Sequence, residues 1–132
     1  MENTTSYLNR VIKEAVEQSN FLLKTFKEVF ILYYNFKEIA TSNFHVKSII
    51  LPNGTKVDTV NIYGVLVDKN LRGKGIGKIL IKKIIEAVKD SNIQYISLEV
   101  ETHNETAIKL YKSTGFDVYR ETASVLYMFK KV

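Results

Sequence analysis

Three glycines at alternate positions form the part of this sequence with the clearest chemical meaning. Gly73, Gly75 and Gly77 stand between a predicted strand and a predicted helix, with Lys74 and Lys78 among them. Glycine lets the backbone approach an anion closely, and the first turn of a helix directs free N–H groups and the positive end of its dipole at that anion. The segment therefore predicts a binding site for a phosphate or pyrophosphate group.

Two better-known phosphate motifs do not fit this turn. A Walker A loop requires Ser or Thr after its Gly-Lys pair, whereas Gly77-Lys78 is followed by Ile79. The dinucleotide-binding fingerprint is Gly-x-Gly-x-x-Gly, and Gly77 comes one residue too early for its third glycine. The remaining pattern is Arg72-x-x-Gly75-x-Gly77, and taken alone it is also compatible with a strand-to-helix turn that binds no ligand.

Polar side chains in a second segment could carry out proton transfer. Residues 93–101 are typical of a strand with Glu99 on its polar side, and a helix capped by Asn104 follows and ends at Gly115. Tyr111 lies about two helical turns after Asn104, so the two side chains can project to the same side. That spacing is compatible with a shared site.

Both segments resemble the signature blocks of the GNAT superfamily of N-acetyltransferases. Arg72-x-x-Gly75-x-Gly77 is similar to its Arg/Gln-x-x-Gly-x-Gly/Ala block, and residues 98–116 are similar to its second block, Asn-x-x-Ala-x-x-Leu-Tyr and then Gly-Phe. The resemblance covers roughly residues 59–120 and is nearest in motif to the ribosomal-protein alanine N-acetyltransferase branch. It implies an α/β (α+β) fold with a central mixed, mostly antiparallel sheet, splayed parallel strands and flanking helices.

The resemblance also implies that acetyl-CoA is the acetyl donor, and it assigns the residues that bind it. Val65, Leu66 and Val67 would pair with the pantetheine arm like an added strand, and Asn104 would line the cleft between the splayed strands. The pyrophosphate would accept hydrogen bonds from the glycine turn, which comprises Arg72, Gly73, Lys74, Gly75, Ile76, Gly77 and Lys78.

Acetylation of an amine needs a base and an acid, since only a neutral amine attacks a thioester and the departing thiolate is best protonated as it leaves. By resemblance, Glu99 is the catalytic base, acting through water, and Tyr111 is the catalytic acid that protonates the sulfur of CoA. Two alternatives stay open. Glu99 could be a solvated strand residue like Glu101, and Tyr111 could be a helix tyrosine that only packs its ring on the sheet.

The elements around these segments follow from periodicity and turn residues. Apolar residues at helical spacing predict one or two amphipathic helices over residues 5–26. We expect the usual first strand before them to be missing, because helix-like sequence begins close to Met1. Pro52-Asn53-Gly54 predicts the turn of a hairpin. The other predicted elements are strands over 29–34, 44–51, 56–68, 116–120 and 124–131 and a helix from 76 to about 90.

Composition limits the class of protein. The 132 residues are expected to form a single domain over 1–132. The chain has no cysteine, which excludes a thiolate nucleophile, and His45 and His103 have no partner at ligand spacing, so we expect no metal. Neither a secretion signal nor an apolar run near the roughly 20 residues of a membrane span is visible, so we expect a cytoplasmic protein with no membrane partner.

A net charge of +5 favours an anionic partner. Acetyl-CoA satisfies this bias, whereas nucleic acid is disfavoured because the basic residues are scattered and form only pairs such as Lys82-Lys83. The sequence therefore predicts transfer of an acetyl group from acetyl-CoA to a primary amine. A protein N-terminus is the favoured acceptor, with lysine or a small-molecule amine as alternatives, because the short link at residues 121–123 implies an open acceptor groove.

Two rival hypotheses come from other functional classes. The first is a non-catalytic acyl-CoA-binding or sensor module on the same fold, and the second, less favoured, is a basic nucleic-acid-binding domain. For the oligomeric state, we expect a monomer or a homodimer.

Overall fold

The computed structural model describes residues 20–132, which form a seven-stranded mixed sheet and two α-helices. The strands are β1 Phe21–Phe26, β2 Val29–Tyr34, β3 Lys37–Ile50, β4 Lys56–Val67, β5 Tyr95–Glu101, β6 Asp117–Glu121 and β7 Val125–Lys131. Their order across the sheet is β1-β2-β3-β4-β5-β7-β6. Within the described residues, β4 and β5 pair in parallel and all other neighbours pair antiparallel.

The two helices pack side by side on one face of the sheet. A short 3-10 helix at Lys69–Leu71 precedes α1, Ile76–Lys89, and α2, Glu105–Ser113, follows β5. A methyl group on Gly77, in the first turn of α1, would lie 3.5 Å from the Leu110 side chain of α2, so the two helices are in contact. The buried stripe of α1 has helical spacing and comprises Ile76, Leu80, Ile81, Ile84 and Val88.

The core lies between this pair of helices and the sheet. Ile96, Leu98 and Val100 alternate along β5 and belong to the same buried cluster as Leu80 of α1 and Tyr111 of α2. Their burial contributes roughly 1.5–3 kcal/mol for each large apolar side chain. The predicted apolar face of this strand is therefore confirmed. Neither helix of the described part is long and apolar enough to cross a membrane.

The helix prediction for residues 5–26 is wrong at its carboxyl end, because Phe21–Phe26 forms β1. Phe21 pairs with Tyr34 and Phe26 with Val29, so β1 and β2 are a hairpin. Lys27 adopts a φ of 54° at the turn between them. Residues 1–19, with the rest of the predicted helices and the expected missing first strand, lie outside the described residues.

The elements after β1 agree better with the sequence prediction. The predicted strands over 29–34 and 56–68 are confirmed, and β3 and β4 form the predicted antiparallel hairpin through Pro52-Asn53-Gly54. β3 begins at Lys37, well before the predicted residue 44, because its first residues pair with β2. The predicted helix from 76 and the final hairpin of β6 and β7 are also confirmed. The fold class is as predicted, while the single domain over 1–132 stays a prediction.

Candidate active site

The parallel strands β4 and β5 separate soon after they meet. They pair at Val60 with Ile96 and at Asn61 with Ser97. β4 then continues to Val67 while β5 continues to Glu101 alongside β7. A cleft between the two strands opens toward their carboxyl ends, which confirms the predicted splay. Val65, Leu66 and Val67, the residues predicted to pair with the pantetheine arm, lie on the diverging part of β4.

A β-bulge strengthens this separation. Thr41 pairs with Leu66 and Asn43 with Tyr63, so β4 carries one extra residue between these pairs. Gly64 lies there with a φ of 61°, and a methyl group on it would come within 2.6 Å of the Asn43 amide nitrogen. A bulge bends and twists its strand. The bend occurs where β4 leaves β5. The positive φ and the close approach of Asn43 require a glycine at this position.

The glycine turn follows directly from the end of β4. The Arg72 side chain donates a hydrogen bond from Nε to the carbonyl oxygen of Val67 at 3.2 Å, which anchors the turn to the strand. Gly73 and Gly75 have φ values of 77° and 82°, a conformation that residues with a side chain rarely adopt. The glycines therefore reverse the chain in the short distance between the strand and α1.

The first turn of α1 presents its backbone N–H groups to the space beside this turn. Ile79 donates its N–H to the carbonyl oxygen of Gly75 at 3.2 Å. In helix geometry the N–H groups before it, those of Ile76, Gly77 and Lys78, have no acceptor within the helix. The N-cap residue Gly75 has no side chain to satisfy them. This arrangement fits an anion, as predicted from the sequence.

Tyr111 of α2 has a buried ring and an accessible hydroxyl. The side chain is 8% exposed, and its ring packs against that of Phe116 with centroids 5.9 Å apart. The hydroxyl has no hydrogen-bond partner among the described residues. Every fully buried side-chain oxygen or nitrogen in that part of the chain has a partner, so the Tyr111 hydroxyl oxygen must reach the surface. Burial raises the pKa of this phenol above its usual value. Tyr111 is therefore protonated at neutral pH and can donate a proton.

Asn104 holds the amino end of α2. Its side-chain oxygen accepts a hydrogen bond from the backbone N–H of Ala107 at 3.2 Å, so the predicted N-cap is confirmed. The side chain is exposed at the start of the helix. Its predicted contact with the cofactor stays a prediction.

Glu99 lies on the opposite face of the sheet from Tyr111. Side chains alternate along a strand, so Glu99 projects away from the face where Leu98 and Tyr111 share the core. Its Oε1 accepts a hydrogen bond from Nζ of Lys47 at 2.9 Å, and 47% of its side chain is exposed. The structure does not bring Glu99 and Tyr111 into contact. It places them on opposite faces of the sheet.

Three polar side chains missed by the sequence analysis hold the point where the strands meet. Thr59, Asn61 and Ser97 are buried, and the Ser97 hydroxyl lies 2.6 Å from the Thr59 hydroxyl and 2.9 Å from the Asn61 amide nitrogen. The Thr59 hydroxyl also donates to the carbonyl oxygen of Lys47 at 2.9 Å. Alternation along β5 puts Ser97 on the same side as the exposed Glu99. Only the register between β4 and β5 shows that it is an internal link.

Comparison with known proteins identifies the family. A sequence profile of the Acetyltransferase (GNAT) family matches residues 8–116. The chain belongs to the GNAT family of acetyltransferases. This confirms the resemblance seen in the two sequence blocks. In the GNAT chain described here the first block lies between β4 and α1, and the second runs from the end of β5 through α2.

Individual relatives agree with this assignment. An uncharacterized N-acetyltransferase of Methanocaldococcus jannaschii is 34% identical over 82 residues, which cover 62% of this chain and 36% of the relative. The ribosomal protein bS18-alanine N-acetyltransferase of Escherichia coli is 30% identical over 61 residues, 46% of this chain and 41% of that protein. The crystal structure of the E. coli enzyme matches the fold with a TM-score of 0.61 at 20% identity, across 99% of this chain and 90% of the other.

A second solved structure has a bisubstrate analogue bound. Arabidopsis thaliana Naa50 in complex with the bisubstrate analogue CoA-Ac-MVNAL matches with a TM-score of 0.59 and 26% identity, over 79% of this chain and 72% of that chain. The GNAT chain spans only about a third of the length of the first curated relatives it matches, 36% of one and 32% of the next.

Within residues 20–132, no group of three or more His, Asp or Glu side chains is arranged to hold a metal ion. His103 contacts Glu101 at 3.0 Å and nothing else in this part of the chain joins that pair as a third ligand. The expectation that the protein needs no metal stays a prediction.

Proposed function

We propose that this GNAT protein transfers the acetyl group of acetyl-CoA to a primary amine, and that a peptide N-terminus is its favoured acceptor. The observation that carries the proposal is the separation of β4 from β5 beside the amino-terminal end of α1. An unpaired strand edge, a turn of glycines and free helix N–H groups lie along one path. A long ligand with a pyrophosphate at one end and an amide-bearing arm at the other matches that path.

The residues predicted for the cofactor fit such a ligand. The backbone from Arg72 to Lys78 would hold the pyrophosphate, and Val65, Leu66 and Val67 would offer strand-like hydrogen bonds to the arm. When bound, acetyl-CoA supplies an acetyl group activated as a thioester. The cleft would let that group reach the face of the sheet on which Glu99 lies.

Tyr111 and Glu99 divide the two proton transfers. The Tyr111 hydroxyl, protonated and accessible, would give its proton to the departing sulfur on the helical face. On the opposite face Glu99 would take a proton from the attacking amine through a water molecule. Lys47 occupies Oε1 of Glu99, and Oε2 has no hydrogen bond to any described residue, so Oε2 would receive the proton.

The choice of a peptide N-terminus has two supports. An α-amine with a pKa of about 7.7 to 8.0 costs only about 1 kcal/mol to deprotonate at pH 7, whereas a lysine side chain near 10.4 costs roughly 4.6 kcal/mol. A partly exposed carboxylate such as Glu99 is better suited to the smaller demand. In addition, the bound analogue named in the Naa50 structure joins CoA to a peptide, and that protein has the same fold.

The test is an acetyl-CoA turnover assay with a panel of amines that contains peptides, lysine derivatives and small-molecule amines. We expect release of free CoA with at least one peptide. Acetyl-CoA at about 100 times its Kd should add about 2.7 kcal/mol of stability, a rise of roughly 10 °C in Tm for a domain of this size. A Tm rise without acetylation of any amine would favour the non-catalytic module, and no Tm rise would contradict the proposed donor.

A further inference from the structure

A β-bulge in β6 shapes the face of the sheet on which Glu99 lies. In β6, Val118 pairs with Met128 of β7, but the next pair joins Arg120 to Tyr127, so Tyr119 is the extra residue. Both residues of the bulge contact Tyr127. The Tyr119 ring lies 6.0 Å from the Tyr127 ring centroid, and the guanidinium carbon of Arg120 lies 4.8 Å from it. The bulge thus directs two consecutive side chains to the same surface.

These side chains form one wall of an open cavity. Lys47, Ser48, Ile49 and Ile50 of β3 form the opposite wall, and the cavity volume is about 460 Å³. Tyr127 is the cross-strand partner of Glu99, and Lys47 is its ion-pair partner. The cavity therefore adjoins the carboxylate that we propose as the base.

Arg120 is the cation of this cavity that no carboxylate of the described residues neutralises. Lys47 and Arg120 line the cavity, and no carboxylate does. Lys47 is already paired with Glu99, but no carboxylate of the described residues pairs with Arg120, whose contact there is the face of Tyr127. The edges of its guanidinium group are free to donate two hydrogen bonds to a carboxylate.

The phenols beside Arg120 favour the same ligand. Tyr119 lies between the rings of Tyr127 and Phe129, 6.0 Å and 5.9 Å away. Burial is the largest cause that raises the pKa of Tyr119, so its hydroxyl remains a donor at neutral pH. A hydrogen-bond donor next to the guanidinium of Arg120 suits an anion.

We propose that this cavity binds a carboxylate of the acceptor, so that the preferred acceptor is a peptide with an acidic side chain in its first two residues. This inference rests on the proposed acetyl transfer at Glu99. Arg120 and Glu99 lie on strands separated by β7, about 10 Å apart at two strand spacings. An amine at Glu99 and the side-chain carboxylate of the first or second residue of an extended peptide can span that gap, since each residue extends roughly 3.3–3.6 Å and the Arg120 side chain reaches back over Tyr127 of β7.

The experiment compares two peptides that are identical except for their first two residues, Asp-Glu in one and Asn-Gln in the other. We expect the unmodified protein to acetylate the acidic peptide with a kcat/KM at least about tenfold higher. Arg120→Gln should remove this preference by lowering kcat/KM with the acidic peptide toward the value measured with the neutral peptide. Lys131→Gln removes the same unit of charge at an exposed position outside the cavity and should keep the preference.

Several outcomes would overturn the proposal. Equal rates with the two peptides, or a preference that survives Arg120→Gln, would show that Arg120 does not bind the acceptor. Free aspartate acetylated as fast as the acidic peptide would replace a peptide acceptor by a small amino acid. If no amine is acetylated, the proposed function fails. The carboxylate site is then tested by calorimetric binding of both peptides in the presence of CoA, where equal affinities would overturn it as well.

Discussion

Tyr111 combines a buried ring with a hydroxyl that reaches the surface, so the roles of the ring and the hydroxyl can be tested separately at this one residue. Tyr111→Phe removes only the hydroxyl, so the packing against Phe116 is kept. We expect the turnover number to fall by about 10²-fold or more, because a general acid contributes about 10²–10⁴-fold. The acetyl-CoA-induced rise in Tm should be unchanged. Turnover equal to that of the unmodified protein would contradict the acid assignment.

The same phenol makes stability depend on alkaline pH. Burial raises the pKa of Tyr111 in the folded state, so the unfolded chain loses this proton first, near pH 10. The contribution of this buried phenol to the free energy of unfolding is fully present below about pH 10. It is lost as the pH rises from there toward the pKa of Tyr111 in the folded state. Urea unfolding of the unmodified protein and Tyr111→Phe, at roughly pH 8 and roughly pH 11, should show the variant losing less stability over this interval. An equal loss in both would contradict the direction of the shift.

At the scale of the elements, the turn between β4 and α1 depends on one backbone conformation. Gly75 has a φ of 82° and open space around it, so Gly75→Ala is strained in its backbone alone. We expect a stability loss of about 1–2 kcal/mol and an acetyl-CoA affinity about tenfold lower, because the N–H groups of the helix head shift. Both effects are measured by thermal melting with and without acetyl-CoA.

Gly54 offers a matched control for this substitution. It has a φ of 86° and equally open space, but it lies in the distant turn between β3 and β4. Gly54→Ala should destabilise the protein by a similar amount and leave acetyl-CoA affinity unchanged. If both variants weaken binding equally, the glycine turn has no specific role.

The elements also show what the sequence could predict. α1 and α2 were predicted because their signals are local: a repeating apolar stripe, an Asn104 cap and a final Gly115. The sequence of β1 predicts a helix because Phe21 and Phe26 also fit helical spacing, and its identity as a strand comes from pairing with β2. The strand pattern of residues 93–101 predicts that Glu99 lies on the polar side of β5. Its ion-pair partner Lys47 lies 52 residues away, and no local pattern reveals that contact.

The cavity that we propose for the acceptor could not be predicted from the sequence for the same reason. Tyr119 and Arg120 project to one surface because β6 contains a bulge, whereas their adjacent positions in the sequence suggest opposite faces. Ser97 lies on the side of β5 that carries the exposed Glu99 and Glu101, yet its side chain is fully buried against Thr59 and Asn61. Register between distant strands decides both cases, and one sequence alone does not contain it.

At the scale of the whole molecule, the sheet consists of two parts joined where β4 meets β5. The joint contains two residue pairs and the hydroxyl of Ser97. Ser97→Ala leaves the buried Asn61 amide without this partner, which should cost about 1–3 kcal/mol. Loosening of the joint should also raise the KM for acetyl-CoA.

The control for this variant is Ser48→Ala. It also deletes a serine hydroxyl, but the hydrogen bond lost to Asp58 is on the surface. We expect a change in unfolding free energy within about 0.5 kcal/mol for this control. Equal urea unfolding midpoints for the two variants would show that Ser97 does not stabilise the joint.

The small number of residue pairs between β4 and β5 has a further consequence for the order in which the sheet folds. The neighbours from β1 to β4 are connected by short turns, whereas the contact between Asn61 and Ser97 closes a loop of 36 residues that contains α1. Closing a long loop costs chain entropy before any contact is gained, so distant strand pairs form slowly. We expect pulse-labelling hydrogen exchange to protect the β2 and β3 amides before those of β5. A refolding chain would then complete its cofactor cleft last, and acetyl-CoA would act mainly by slowing the reopening of the sheet.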